Sequence, residues 1–152
     1  MEIGLSLFNT INISMIKSAG ALFFCISTRR YLFLLRDNHR HSNTWCFPGG
    51  KIRKNESEFD GTLREINEEL GLTIPYIKVI PIEKFTSEDK QFEYHTFVFL
   101  IKNEFIPILN KEHRGYCWTS IDGWPKPLHP ALFNTLNENI IKEKLNFIEE
   151  NF

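Results

Sequence analysis

A helix with two chemically different faces is the feature that most constrains this fold. Four apolar residues recur at helical spacing between Ser57 and Leu70, namely Phe59, Leu63, Ile66 and Leu70. Gly71 follows at the position where a glycine commonly caps a helix C-terminus. Because an apolar stripe of this length has to be buried against another layer, the sequence predicts an amphipathic helix packed on a hydrophobic core.

The second face of this predicted helix carries carboxylates. At about 100° per residue, Glu65, Glu68 and Glu69 lie in one sector of roughly 100° beside the apolar stripe. Like charges at these spacings destabilise an isolated helix by a few tenths of a kcal/mol per pair, so a compensating charge is expected. One alternative is a hard divalent cation such as Mg²⁺, which prefers several oxygen ligands. The other is a solvated acidic surface with basic partners, which are Lys51, Arg53, Lys54 and Arg64.

The remaining segments predict a mixed sheet. Apolar runs at 21–26 and 31–35 flank a polar turn and indicate a hairpin, and residues 37–44 form a polar loop. Trp45 belongs to a short strand that ends in a Pro-Gly-Gly turn at 48–50. Further strands are predicted at 77–85, 92–101 and 116–119, and one closing amphipathic helix at 130–147. Strands followed by helices, without regular alternation, favour an α+β fold in which a mixed sheet packs between helices.

Size and composition favour one ordinary globular domain. The sequence has 152 residues, with a core expected over about 15–150 and an N-terminal extension at 1–14; Met15 is an alternative start. We expect neither a signal peptide nor a membrane span, because the longest apolar run is far shorter than roughly 18 residues. The formal charge of −1 predicts no extended nucleic-acid surface. The three cysteines are odd in number and widely spaced, which indicates reduced thiols in a cytoplasmic protein.

The segment from Gly50 to Leu72 carries a known signature. Its pattern is Gly, five residues, Glu, seven residues, then Arg-Glu-apolar-any-Glu-Glu-any-Gly-apolar, and the chain matches at Gly50, at Glu56 and at 64–72. Together with the preceding Trp-Cys-Phe-Pro-Gly-Gly-Lys at 45–51, this segment resembles the Nudix hydrolase family. The resemblance implies an α/β/α sandwich and hydrolysis of a diphosphate linked to another moiety. It also implies Mg²⁺ as cofactor, with Mn²⁺ as a substitute.

The resemblance assigns expected roles to residues of this chain. Glu68 and Glu69 are the expected metal ligands, joined by the Gly49 carbonyl, and Glu65 is a ligand or the general base. Arg64, which is counted with the expected catalytic residues, holds a carboxylate in place through a bidentate ion pair. Gly50 and Glu56 support the site. A further acid is expected from a later loop. Glu112 is the candidate for that base or extra ligand, and Glu104 is its rival.

Other residues are candidates for substrate binding, namely Arg36, Trp45 and Lys51. Arg36 follows a strand expected beside the metal helix, but pairing with Asp37 is an equal alternative. Four aromatic residues are candidates for stacking a base, with core packing as the alternative for each: Trp45, Phe92, Tyr94 and Trp118. The proline-rich segment 124–130 is expected to form a wall or lid. The loose metal-ligand spacing of His39, His41 and Cys46 is interpreted as coincidence.

Three functions remain open from the sequence. The first is hydrolysis of small nucleoside diphosphate derivatives, such as ADP-ribose, dinucleoside polyphosphates or nucleotide sugars. The second is pyrophosphate removal from a nucleoside triphosphate or from an RNA 5′ end. The third is a non-catalytic nucleotide-binding module on the same fold. The expected partner is a small nucleotide, and a homodimer is one alternative for the assembly.

Overall fold

The computed structural model describes residues 15–152, and the predicted N-terminal extension at 1–14 lies outside the described residues. Seven strands form one mixed sheet: β1 (Ile16–Cys25), β2 (Arg30–Arg36), β3 (Trp45–Cys46), β4 (Gly49–Lys51), β5 (Lys78–Thr86), β6 (Phe92–Ile101) and β7 (His113–Thr119). The strand order is β3-β2-β1-β6-β5, with β4 beside β1 and β7 beside β2. β1 and β6 pair in parallel, from Ile16–Phe92 to Cys25–Ile101, while the other pairs are antiparallel.

Helices cover both faces of this sheet. They are α1 (Glu58–Leu70), α2 (Pro130–Asn137) and α3 (Asn139–Asn151). A short 3-10 turn spans Ile121–Gly123. Along β1, Ala21 and Phe23 pack with the apolar side of α1, whereas Leu22 and Phe24 pack with α2 and α3. This alternation follows from the period of two along a strand. The predicted fold, a mixed sheet between helices, is therefore confirmed.

The glutamate-bearing helix forms within one residue of its predicted start. The Ser57 hydroxyl accepts a hydrogen bond from the Asp60 backbone N–H at 3.0 Å and caps the N-terminus of α1. At the other end, Gly71 adopts a left-handed conformation with φ of 65°, and its N–H donates to the Asn67 carbonyl at 3.1 Å. Both caps are local, so the sequence alone could place this helix.

Two local predictions are wrong. The glycines at 49 and 50 do not form a turn but belong to β4, which pairs with residues 18–20 of β1. The predicted closing helix is two helices, because Glu138 takes an extended conformation with φ of −73° and ψ of 130°. The buried positions step five residues from Leu136 to Ile141, instead of three or four, and the break at Glu138 lets both helices face the core.

Within residues 15–152, every helix falls short of the length and apolar character that crossing a bilayer requires. The three cysteines are free thiols, with Cys25 and Cys46 buried and Cys117 half-buried.

Candidate active site

The carboxylates of α1 face the β4 strand and differ sharply in exposure. The innermost residue is Glu69, which is 3% exposed and accepts a hydrogen bond at Oε2 from the Gly49 N–H at 3.0 Å. Glu65 is half-buried, and its carboxylate lies so near Gly50 that a Cβ there would come within 2.6 Å of Glu65 Cδ. Glu68 is exposed at the outer edge. Gly50 thus lets the backbone of β4 approach this face of the helix, whereas a Cβ at Gly49 would meet the backbone of β1.

The Arg64 guanidinium forms hydrogen bonds with the outer carboxylates. Its Nη2 donates to Glu56 Oε1 at 2.7 Å and its Nε also contacts that carboxylate, which gives a bidentate pair. The Nη1 atom donates to Glu65 Oε1 at 3.1 Å and to Glu68 at 3.3 Å. Hydrogen bonding to Arg64 lowers the pKa of Glu56 to about 2 and raises the pKa of Arg64. A basic partner therefore compensates three of these acids, as the solvated-surface alternative expects.

Glu69 has no such basic partner among the described residues. Burial raises its pKa well above the ordinary value, and the charges of Glu65 and Glu112 add to the shift, while the Gly49 N–H and the charge of Arg36 oppose it. Burial is also the main cause that raises the pKa of Glu65. These acids are thus destabilised as anions, and an added positive charge would stabilise them.

The loop before β7 brings two more groups to Glu69. Ligand atoms of Glu69, Glu112 and His113 all lie within 4.8 Å of one another. The loop is fixed on both sides, because the Asn110 amide donates to the Glu68 carbonyl at 3.1 Å and the Asp37 N–H donates to the Glu112 carbonyl at 2.8 Å. Sequence reasoning missed His113, although its place directly after Glu112 was a usable signal.

The donor set of this cluster suits a hard divalent cation. Carboxylates of Glu69 and Glu112 supply the oxygen ligands that such ions prefer, and His113 adds one ring nitrogen to the cluster. The residues present therefore fit the magnesium or manganese ion that the resemblance implies. Glu104, the rival of Glu112, lies elsewhere and pairs with Arg30 at 2.6 Å.

A second acidic cluster lies near the N-terminus of α1, and lysine side chains already neutralise its negative charge. Its members Glu58, Glu93 and His95 have ligand atoms within 4.8 Å of one another. Lys84 contacts Glu93 at 3.0 Å and Lys17 contacts Glu58 at 3.3 Å. Two lysines beside two carboxylates leave little net charge to attract a cation.

A cleft of about 390 Å³ opens beside β4, on the sheet face that α2 covers. At one end it is lined by Gly49, Gly50, Lys51 and Arg36. At the other end it is lined by Glu83, Phe85, Phe92, Tyr94 and Thr96, with His129 and residues of α2 along the side. Because Gly49 binds Glu69, the carboxylate cluster lies directly next to this cleft. Its volume falls in the range of small-molecule sites.

The predicted substrate-binding residues fall into two groups. Arg36 and Lys51 line the cleft. The Arg36 guanidinium donates to Asn38 Oδ1 and to the Arg40 carbonyl, while Asp37 contacts Arg114 at 3.5 Å, so the proposed pairing of Arg36 with Asp37 is wrong. Trp45 instead packs against the core on the α2 side.

The other aromatic and histidine candidates divide in the same way. Phe92 and Tyr94 line the cleft. Trp118 packs edge-on against Phe105 at 5.3 Å, on the α1 side of the sheet. Cys46 contacts His113 Nε2 at 3.5 Å, whereas the His41 ring packs on His129, so the loose spacing of His39, His41 and Cys46 does not produce a joint site within residues 15–152.

The proline-rich segment at 124–130 is held against β3. The Trp45 N–H donates to the Pro127 carbonyl at 2.9 Å, and the His129 N–H donates to the Trp45 carbonyl at 2.8 Å. His129 also caps α2, because its Nδ1 accepts from the Ala131 N–H at 3.1 Å.

Sequence reasoning missed Glu83, Thr96 and His129 as cleft residues. The signal for Glu83 was its alternation with Phe85 along β5.

This chain is similar to known proteins in both sequence and fold. Residues 16–138 match the NUDIX domain family. The 8-oxo-dGTP diphosphatase of Buchnera aphidicola is 25% identical over 71 residues, which cover 47% of this chain and 56% of that protein. The chain thus aligns with little more than half the length of this curated relative.

Two solved structures share the fold. The MutT protein of Methanosarcina mazei Go1 superposes with a TM-score of 0.65 at 26% identity, over 88% of this chain and 98% of that chain. The NUDIX domain of Shewanella oneidensis NrtR, solved with ADP ribose, gives a TM-score of 0.70 at 18% identity, over 95% and 99% of the two chains. The matched family spans most of the chain and includes the whole carboxylate helix, and this protein therefore belongs to the Nudix hydrolase family.

Proposed function

We propose that this chain is a magnesium-dependent pyrophosphohydrolase that cleaves the phosphoanhydride of nucleoside diphosphate-linked small molecules. The observation that carries the proposal is the buried Glu69 carboxylate, which lies beside Glu112 and His113 and is bound by Gly49 at the mouth of the cleft. Keeping this carboxylate buried is costly, and a divalent cation would offset that cost.

The residues of the chain take distinct roles in this proposal. Glu69 and Glu112 would hold the cation, with Glu65 and Glu68 nearby, and the Gly49 carbonyl is a further candidate ligand. When bound, the ion neutralises phosphate charge and lowers the pKa of an attacking water. Glu65 or Glu112 accepts the proton of that water.

The neighbouring basic residues orient the site and the substrate. Arg64 fixes the Glu65 carboxylate through the 3.1 Å contact and keeps it aligned with Glu56. Arg36 and Lys51 line the end of the cleft next to the carboxylates, where they would bind phosphate oxygens.

The preferred substrates are ADP-ribose, dinucleoside polyphosphates and nucleotide sugars. The likeness in fold to a NUDIX domain solved with ADP ribose supports this class. A nucleoside triphosphate is the second candidate, since the relative from Buchnera aphidicola is named an 8-oxo-dGTP diphosphatase. A non-catalytic module is disfavoured because every acidic position of the signature is retained.

The free thiols support a reducing compartment such as the cytoplasm.

A product assay tests the proposal. The protein is incubated with Mg²⁺ and a panel of ADP-ribose, dinucleoside polyphosphates, nucleotide sugars and nucleoside triphosphates in ¹⁸O-labelled water, and products are identified by mass. We expect one labelled phosphate group per cleavage, and loss of cleavage in Glu69→Gln. The matched control is Glu88→Gln, which alters an exposed glutamate in the β5–β6 turn. Absence of labelled product from the whole panel would overturn the proposal.

A further inference from the structure

We propose that Glu83 selects the nucleobase, and that the far end of the cleft binds a base carrying an exocyclic amino group. The inference deepens the proposed function and rests on it for the orientation of the nucleotide. It concerns a carboxylate outside the family signature, at the opposite end of the cleft from the α1 cluster.

Two rows of residues cross the sheet and form the floor of this cleft. Strand pairing aligns Glu83, Thr96, Gly20 and Gly49 in one row and Phe85, Tyr94, Ser18 and Lys51 in the next. Each row runs through β5, β6, β1 and β4, so its ends are three strand spacings apart, or about 14 Å. A ligand that reaches from β4 to β5 would therefore place its two ends in different chemical surroundings.

The two ends differ in charge. Lys51 and Arg36 lie near β4 beside the carboxylate cluster, where the diphosphate is expected. Glu83 lies at the β5 end, where an anionic phosphate would be repelled. The nucleotide is thus oriented with its phosphates toward β4 and its base toward Glu83.

Glu83 is held with one oxygen in use and the other available. The Thr96 hydroxyl donates to Oε1 at 3.1 Å, and the Thr135 hydroxyl, from α2, donates to the same atom at 3.0 Å. Within residues 15–152, Oε2 receives a longer contact of 3.3 Å from Thr135 alone. Two hydroxyls from different elements fix the carboxylate in place, and Oε2 keeps acceptor capacity for a ligand.

A fixed carboxylate acceptor distinguishes an amino group from a carbonyl. An exocyclic N–H donates to Oε2 in a charge-assisted bond, whereas a carbonyl oxygen in the same place would be repelled. Hydrogen bonds to charged groups correspond to about tenfold or more in affinity, which is enough to decide between two otherwise similar bases.

Aromatic rings beside Glu83 supply a stacking surface. Phe92 and Tyr94 have ring centroids 6.4 Å apart and an interplanar angle of 28°, and Phe85 pairs with Tyr94 across the strands. Phe85 and Phe92 are 49% and 36% exposed, although each lines the cleft. Stacking binds any base, so the choice between bases is left to Glu83.

Metal-free binding of nucleoside monophosphates tests the inference. Three pairs differ by an amino group replaced with a carbonyl: AMP and IMP, GMP and XMP, and CMP and UMP. Dissociation constants are measured by calorimetry for the wild type, Glu83→Gln and Glu138→Gln. Glu138 is the matched control, because it is another glutamate that lines the cleft but lies outside the two rows.

We expect the amino member of at least one pair to bind about tenfold more tightly to the wild type. The preference should disappear or reverse in Glu83→Gln, whose amide N–H₂ can face a carbonyl, and it should persist in Glu138→Gln. The pair that responds identifies the ring position that is recognised. The inference is overturned if all three pairs bind the wild type within twofold, or if Glu83→Gln keeps the preference.

The wild-type comparison requires no variant to fold, so the inference stays falsifiable if Glu83→Gln is unstable. Failure here is also distinct from failure of the proposed function. Hydrolysis without base preference would remove the role of Glu83 and leave the hydrolase standing. Base-selective binding without hydrolysis would keep the role of Glu83 and remove the proposed hydrolase activity.

Discussion

The backbone N–H of Gly49 lies 3.0 Å from Oε2 of Glu69 and joins the strand beside the cleft to the innermost carboxylate of α1. One hydrogen bond offsets only part of the cost of burying this anion, because burial still raises the pKa of Glu69. Glu69 is therefore the residue at which metal binding and stability are most closely coupled.

Glu69→Gln should abolish the stabilisation that magnesium gives. In the wild type, a ligand that binds the folded state raises the midpoint of thermal unfolding as its concentration increases. The variant keeps an oxygen acceptor for Gly49 but loses the charge, so its midpoint should not respond to Mg²⁺. Its rate should fall by about 10²-fold or more. Differential scanning calorimetry with and without Mg²⁺ measures the first effect, with Glu88→Gln as control.

The metal-free forms should also differ with pH. The folded-state pKa of Glu69 is raised above 4.5, so protonation favours folding, and this stability is lost as pH rises through the folded-state pKa. Metal-free wild type should therefore lose stability relative to Glu69→Gln as the pH rises above 4.5. A constant difference between the two proteins across pH 4 to 8 would contradict the buried charge.

Alanine substitutions at the two glycines of β4 should have different effects, one on activity and the other on stability. At Gly50 a Cβ meets the Glu65 carboxylate at 2.6 to 2.8 Å, and this flexible end can move away. At Gly49 a Cβ meets Gly20 Cα at 2.7 Å, in the backbone of β1. Gly50→Ala should remain folded and lose about tenfold or more in rate, whereas Gly49→Ala should be destabilised by about 1 to 3 kcal/mol. Urea unfolding with rate assays distinguishes them, and equal stability of the two variants would contradict this.

Glu112 and its rival Glu104 make a second matched pair. Glu112 approaches Glu69 and His113, whereas Glu104 is bound by Arg30 and the Thr28 hydroxyl. Glu112→Gln should weaken Mn²⁺ binding and lower the rate by about 10-fold to 100-fold, while Glu104→Gln should leave both unchanged. Electron paramagnetic resonance of Mn²⁺ measures the binding. Equal loss in both variants would indicate a general effect of charge.

His129 should make the protein acid-sensitive. Its pKa is lowered from the ordinary 6.5 to about 4, mainly by burial and also by Arg36 and His41, and its Nδ1 caps α2. Because the unfolded state takes up the proton first, this stability is present above pH 6.5 and is lost as the pH falls toward 4.

His129→Asn should flatten this loss, since asparagine caps helices without titrating in this range. The difference between the proteins should change by about 1 kcal/mol from pH 7 to 4.5, the size of one cap interaction in a partly exposed site. Urea unfolding at both pH values measures it. Parallel pH profiles for the two proteins would show that His129 does not titrate with folding.

Local order explains what the sequence predicted well. Period-two alternation and the apolar runs indicated the principal strands, and helical spacing put Glu65, Glu68 and Glu69 on one side of a helix that ends at Gly71. The signature indicated the family for the same reason, because its residues act within one loop and one helix. The split of the closing helix was not visible in this way, because the apolar Ile140 continues the helical spacing four residues after Leu136.

What the sequence by itself determined is thus the glutamate helix, the mixed α+β fold and the family. Only the tertiary structure decided that Glu112 and His113 meet Glu69, and that Glu83 aligns with Gly49 across four strands. The physical reason is range. Spacing along the chain fixes which residues share a face, whereas contacts between distant segments depend on strand pairing and helix packing, which no local pattern specifies.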